Sequence, residues 1–152
     1  MAVIIGTLIA PALATSALAA TPYNNNDIHI TKIVVEPNGP DMNFTVFYDS
    51  NFFTRVFSII FGAKVMEPSI EHLFINFSNV SIVSLDPNSG MASVMIKNIS
   101  KPGTDGWYVY DATTEFPSQA DIIEVHDSDG QVVTTYNSNS LPAISNRMPA
   151  YK

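Results

Sequence analysis

The sequence predicts an all-β fold: a single β-sandwich of about eight short strands, with one short amphipathic helix inserted near residues 51–63. Three features of the chain point there. Runs rich in Val, Ile, Thr, Phe and Tyr recur roughly every eight to twelve residues, separated by clusters of Pro, Gly, Asn and Asp. Only the stretch NFFTRVFSIIFG, Asn51 to Gly62, abandons the two-residue alternation and follows the helical period. No internal repeat, P-loop or strand–helix–strand alternation is present.

Residues 1–20, MAVIIGTLIAPALATSALAA, carry no charged side chain and end in small residues that fit a cleavage site at Ala17 to Ala19. They read as a secretory signal peptide, with an uncleaved N-terminal anchor as the rival, since roughly twenty apolar residues span a bilayer. Pro11 and the Ala-rich composition favour cleavage, although no Lys or Arg precedes the apolar run. Residues 21–27, TPYNNND, form a flexible lead-in. The β-sandwich domain is expected over 28–136 and a loose C-terminal tail over 137–152.

Within the domain, Ile28–Glu36 is the first strand, broken by PNGPD, and Asn43–Asp49 the second. The helix follows. Ser69–Phe77 alternates Leu73, Ile75 and Phe77 against His72, Phe74 and Asn76 and reads as a strand, with a helical start after Pro68 as the alternative. Val80–Asp86 and Met91–Ile99 pair across the turn PNSG. Ser100–Gly106 is a loop, Trp107–Phe116 a strand, and Pro117–Ala120 a turn. Asp121–Asp127 and Gln131–Tyr136 form a hairpin in which Gly130 accepts a positive φ.

A length of 152 residues fits one domain, and 46% apolar residues can fill a core. The net charge is -7 and the seven basic residues are scattered, which argues against nucleic acid and against charge-driven lipid binding. The absence of Cys excludes disulfides, thiolate chemistry and Cys-based zinc sites, so stability must come from packing, pairing or assembly.

At 100° per residue, Phe52, Phe53, Val56, Phe57, Ile59, Ile60, Phe61 and Ala63 fill an arc about 200° wide, opposite Thr54, Arg55, Ser58 and Gly62. Asp49, Ser50 and Asn51 offer N-caps, and Gly62 can end the helix. The first expectation is a plug that closes an open end of the core, each buried Phe or Ile contributing about 1.5–3 kcal/mol. The second is a docking interface of Phe52, Phe53, Val56, Phe57, Ile60 and Phe61 for another copy. The third is a membrane-surface helix, for which Arg55 and Lys64 are few cations.

Four sequons make Asn43, Asn76, Asn79 and Asn98 candidate N-glycosylation sites in an exported chain, against unmodified surface Asn. Asp127–Gly130 reads as a turn rather than a Ca²⁺ loop, because the further acids of such a loop are missing. His29, His72 and His126 have no metal-ligand spacing. No nucleophile elbow occurs. No catalytic residue, cofactor or metal is therefore expected. Trp107, Tyr108 and Tyr110 are candidates for stacking on a ligand, with a core Trp and tyrosines at the rim as the commoner arrangement.

The segment DIIEVHDSDGQVVTTY resembles the closing hairpin of immunoglobulin-like sandwiches. The Ala-rich leader, the lack of Cys, the Asn-rich turns and the run FSIIFGAKVMEPSIEHLFINFSNVSIVSLD resemble uncharacterised exported proteins of methanogenic archaea. That resemblance implies an extracellular or cell-surface location and no particular activity. The expected function is that of a cell-surface or envelope structural or interaction protein, self-assembling through a strand edge or a donated lead-in strand. An extracellular carbohydrate-binding module is the alternative. The expected partners are other copies or other envelope proteins, with membrane contact only through an uncleaved N-terminal segment.

Overall fold

The computed structural model describes residues 28–103, 106–110 and 114–147. The leader, the lead-in and residues 148–152 lie outside them. β1 (Ile28–Asn38) and β2 (Asp41–Ser50) form an antiparallel hairpin over Gly39, whose φ of +60° meets the turn's demand for a left-handed residue. The register slips once, between Ile30 and Lys32. The extra residue, Thr31, donates its hydroxyl to the Phe47 carbonyl at 3.1 Å. This bulge keeps Ile30, Ile33 and Val35 all buried although their spacing is uneven.

β3 (Val80–Asp86) and β4 (Met91–Ile96) extend the hairpin on one side, and β7 (Glu115–His126) and β8 (Val132–Ser140) on the other. The six-stranded order is β3-β4-β2-β1-β7-β8, antiparallel except for the β1–β7 pair, which is parallel. A second sheet joins β5 (Ser100–Pro102), β6 (Trp107–Tyr110) and β9 (Ile144–Arg147) in the order β5-β6-β9. The result is an all-β, sandwich-like fold with no closed barrel among the described residues. Its core takes Met42, Phe44, Val46, Val94, Ile96 and Ile123 from the large sheet and Tyr110 and Ile144 from the small one. Phe44, Phe74, Phe77 and Phe116 meet at its centre, with ring centroids 5.1 to 6.3 Å apart.

Several expectations are corrected. Ser69–Phe77 is not a strand: α2 (Glu67–Leu73) occupies its first half, with Pro68 in the first turn. The helix lets Met66, Ile70, Leu73 and Phe74 share one buried face, whereas the alternation would also have buried Ile75, which is exposed. The turn expected at Pro117–Ala120 lies inside β7, as a register shift between Glu115 and Ala120. Pro, which lacks an N–H, suits such an irregularity. Residues 137–147 are not a loose tail. β8 runs through Ser140, Leu141 and Ile144 are buried, and β9 pairs with β6. The hairpin over Asp127–Gly130 stands as expected, with Asp127 N–H donating to the Gln131 carbonyl at 2.8 Å and Gly130 at φ +78°. No helix among the described residues is long and apolar enough to cross a membrane.

Candidate interaction surface

α1 (Phe52–Phe61) grows out of the end of β2. The Asn51 side-chain oxygen accepts the Thr54 N–H at 2.8 Å, a capping bond at the helix start. Gly62, at φ +88°, ends the helix with its N–H on the Ser58 carbonyl at 2.9 Å. A single 3-10 turn, Ala63–Val65, then leads into buried Met66 and α2.

The helix is where its periodicity predicts, but it faces the other way. Its one buried residue is Ser58, 3% exposed, whose hydroxyl donates to the Thr54 carbonyl at 2.7 Å. Thr54 is half-buried beside it. Arg55 donates from Nη2 to the Asn88 carbonyl at 3.2 Å, which ties the polar side of the helix to the β3–β4 turn. Phe53 is 75% exposed and Ile60, at the middle of the apolar arc, 67%; Phe52, Phe57, Ile59 and Phe61 are exposed as well, and Val56 is half-buried. The expectation of a core plug is therefore overturned. The core is already closed by α2 and the four-Phe cluster, so the small side chains of α1 face the body. The exposed rings touch one another: Phe57 stacks on Phe61 at 5.4 Å and Phe52 meets Phe53 edge-on at 5.9 Å.

The platform under α1 is built from close backbone contacts. The Tyr48 N–H donates to the Gly90 carbonyl at 2.8 Å. A Cβ on Gly90 would lie 2.3 Å from the Tyr48 oxygen, and Gly90 also holds φ +62°. Asp86 stiffens the same turn by accepting the Ser89 hydroxyl at 2.7 Å and the Asn88 N–H at 3.0 Å. These bonds, that from Ser89 first, hold its carboxyl below the usual carboxylate range. Ile28, where the described chain begins, pairs with Ser50 just before α1. From Asn51 to Met66 the only charges are Arg55 and Lys64.

The remaining candidates spread over the molecule. Asn43 is half-buried, and Asn76, Asn79 and Asn98 are exposed. The latter three, Asn98 brought beside Asn76 and Asn79 by the fold, line one surface depression of about 210 Å³ with Phe77, Lys97 and Thr114. Asn79 and Asn98 hold φ of +57° and +53°, and Asn76 donates Nδ2 to the Glu115 carbonyl at 2.8 Å, so each also has a structural use for Asn. Trp107 and Tyr108 are half-buried on opposite faces of β6. Tyr110 lies in the core and donates its hydroxyl to the Gly39 carbonyl at 2.7 Å, so it offers a sugar no face. His29 meets Asp121 at 2.9 Å, and Glu124 meets Lys32 at 2.7 Å and His126 at 3.3 Å. The bond from Lys32 is the main cause of a lowered Glu124 pKa. No cluster among the described residues has the ligands for a metal ion.

Sequence reasoning missed two features. Thr54 and Ser58 form the inward face of α1, and nothing in periodicity distinguishes inside from outside. β8 is an uncharged edge strand with Val132, Val133 and Tyr136 exposed, and only the sheet order identifies it as an edge. No family model matches the chain, and comparison with curated proteins and with solved structures finds nothing similar.

Proposed function

We propose that this chain is an exported cell-surface or envelope protein that works by attachment, with α1 as its attachment face. One observation carries the reading. A capped, well-anchored helix turns a Phe- and Ile-rich face outward and its serine inward. Left in water, each such side chain forgoes about 1.5–3 kcal/mol of burial. Contiguous exposed apolar patches of this kind mark sites of contact. The uncharged segment 1–20 supports export. β8, an edge of the six-stranded sheet among the described residues and without Lys or Pro, supports contacts between copies. The grouping of Asn76, Asn79 and Asn98 at one surface supports their use as glycan sites.

The chain's lack of Cys makes the test direct. An Ile60→Cys variant carries the only thiol, at a position exposed in the folded protein. Maleimide labelling is compared between purified protein and intact native envelopes. Protection in the envelope together with rapid labelling of the purified protein supports attachment through α1. Equal labelling in both overturns it.

A further inference from the structure

We propose that the occupant of the α1 face is a second copy of this chain, the two helices packed antiparallel across a two-fold axis beside Phe57. This rests on the attachment reading and names the partner at that face.

The first ground is area. Phe52, Phe53, Phe57, Ile59, Ile60 and Phe61 are each exposed by half or more. Together they offer about 800 Å² of apolar surface, the share that one partner gives to a standard protein interface. The one charge between Phe52 and Phe61 is Arg55, and it lies outside the stripe, donating to the Asn88 carbonyl of the β3–β4 turn at 3.2 Å. The middle of the patch therefore carries no charge that docking would have to strip of water.

The second ground is that the stripe is its own complement. Centring the helix on an antiparallel copy sets Phe52 opposite Phe61 and Phe53 opposite Ile60, with Val56 and Phe57 beside the axis. Such a contact uses one patch twice and closes on itself, as in most homodimers. The third ground is charge at the two ends. Asp49 stands three residues before the helix and Lys64 three after it, and both are exposed. The centring that matches the rings also brings each copy's Asp49 towards the other copy's Lys64. The antiparallel helix dipoles favour the same arrangement. An unrelated partner has to supply the apolar stripe and both end charges, whereas a second copy supplies them by symmetry.

The pairing is reversible. A net charge of -7 on each copy opposes association. Dilute protein is therefore monomeric, with its rings in water, and the dimer forms where copies are crowded. β8 offers copies a different meeting place. Its middle residue is Tyr136, which an antiparallel pairing of two β8 edges would set on the axis.

The test uses the full purified chain, which has no Cys of its own. Antiparallel pairing leaves the two Cα atoms of position 57 about 1.5 Å apart along the helix axis, and those of position 52 about 14 Å apart. A disulfide needs Cα atoms within about 7 Å. Mild oxidation at rising concentration is expected to cross-link Phe57→Cys into a dimer and to leave Phe52→Cys and Tyr136→Cys monomeric. Sedimentation of the wild type is expected to pass from monomer to dimer over the same range. Asp49→Lys is expected to weaken the dimer severalfold, and Lys64→Asp added to it to restore the wild-type affinity. Cross-linking at 52 or 136 but not at 57 overturns the two-fold pairing of α1. A chain that stays monomeric at every concentration while Ile60→Cys is shielded in native envelopes overturns the second copy and leaves attachment standing, with another protein or lipid as occupant. A monomer whose Ile60→Cys is open in the envelope overturns both.

Discussion

α1 and α2 are neighbours in the chain, separated by one 3-10 turn, and both carry an apolar stripe. Their environments are opposite. Around α2, Met66, Ile70, Leu73 and Phe74 are all buried, and Phe74 packs edge-on against Phe44 and Phe116. α1 buries a serine and holds its phenylalanines in water. Periodicity fixes the width of a stripe and its position around the helix axis. It does not say what the stripe faces. That depends on where the helix is fed from. α2 lies over the four-Phe cluster at the centre of the core. α1 leaves β2 beyond Tyr48, the last inward residue of that strand, and is tied to the β3–β4 turn, whose exposed backbone offers a carbonyl to Arg55. A polar inner face is the one that fits.

The largest expected difference follows from that contrast. Phe74→Ala removes a ring from the centre of the cluster and is expected to cost about 3–5 kcal/mol of unfolding free energy. Phe57→Ala removes a ring of the same size from solvent and is expected to change stability by no more than about 0.5 kcal/mol. Denaturant unfolding of the two variants in detergent-free buffer measures both. Comparable losses would mean that α1 is packed on the body, and the contrast would fail.

An intermediate effect is expected at Gly90. The residue holds φ +62°, and a Cβ would overlap the Tyr48 oxygen at 2.3 Å. Backbone strain of this kind costs about 1–3 kcal/mol, and the turn must shift to relieve it. Gly90→Ala is therefore expected to be destabilised by that amount. Because Arg55 docks on the same turn, faster hydrogen exchange should appear first in α1 and leave α2 unchanged. Equal loosening of both helices would show that they form one unit.

The strands were legible because β-branched and aromatic runs alternate with residues that accept turn geometry, as at Asp127–Gly130. α1 was legible as a helix because cap-forming residues at Asp49–Asn51 and Gly62 bound a stretch that separates at 100° per residue and mixes at 180°. Its direction was not, since that depends on contacts between residues distant in sequence. α2 was obscured by two overlapping patterns. Ile70, Leu73 and Phe74 have helical spacing, while Leu73, Ile75 and Phe77 imitate a strand, and only burial separates them. β8 was legible over Gln131–Tyr136, and its extension through Ser140 was hidden because an edge strand with both faces wet carries no alternation. The nearness of Ile28 to α1 did lie within reach of the sequence. A hairpin folded at Gly39 brings the start of one strand beside the end of the other, whatever the side chains.

The smallest expected effect serves as a control in a third region, away from both helices. Glu124 lies on the face of the large sheet opposite the core, and its carboxyl is held below the usual carboxylate range chiefly by Lys32 on the adjacent parallel strand. A carboxylate depressed in the folded state contributes stability that is present above its unfolded pKa, about 4.3 for Glu, and lost as pH falls through the lower folded value. Wild type should therefore exceed Glu124→Gln in stability near neutral pH, by a small margin because the pair is solvent-accessible, and the gap should close in acid below about pH 4. Asp86, depressed by Ser89 and Asn88, should leave a residual acid slope in the variant. Thermal unfolding across the acid range reads both. If a fluorophore at position 60 also responds to Glu124→Gln, the sheet and α1 are coupled and the helix is not the independent attachment element that its contacts describe. An unchanged probe beside a shifted acid limb would confine the effect to the β1–β7 seam, where the ion pair lies.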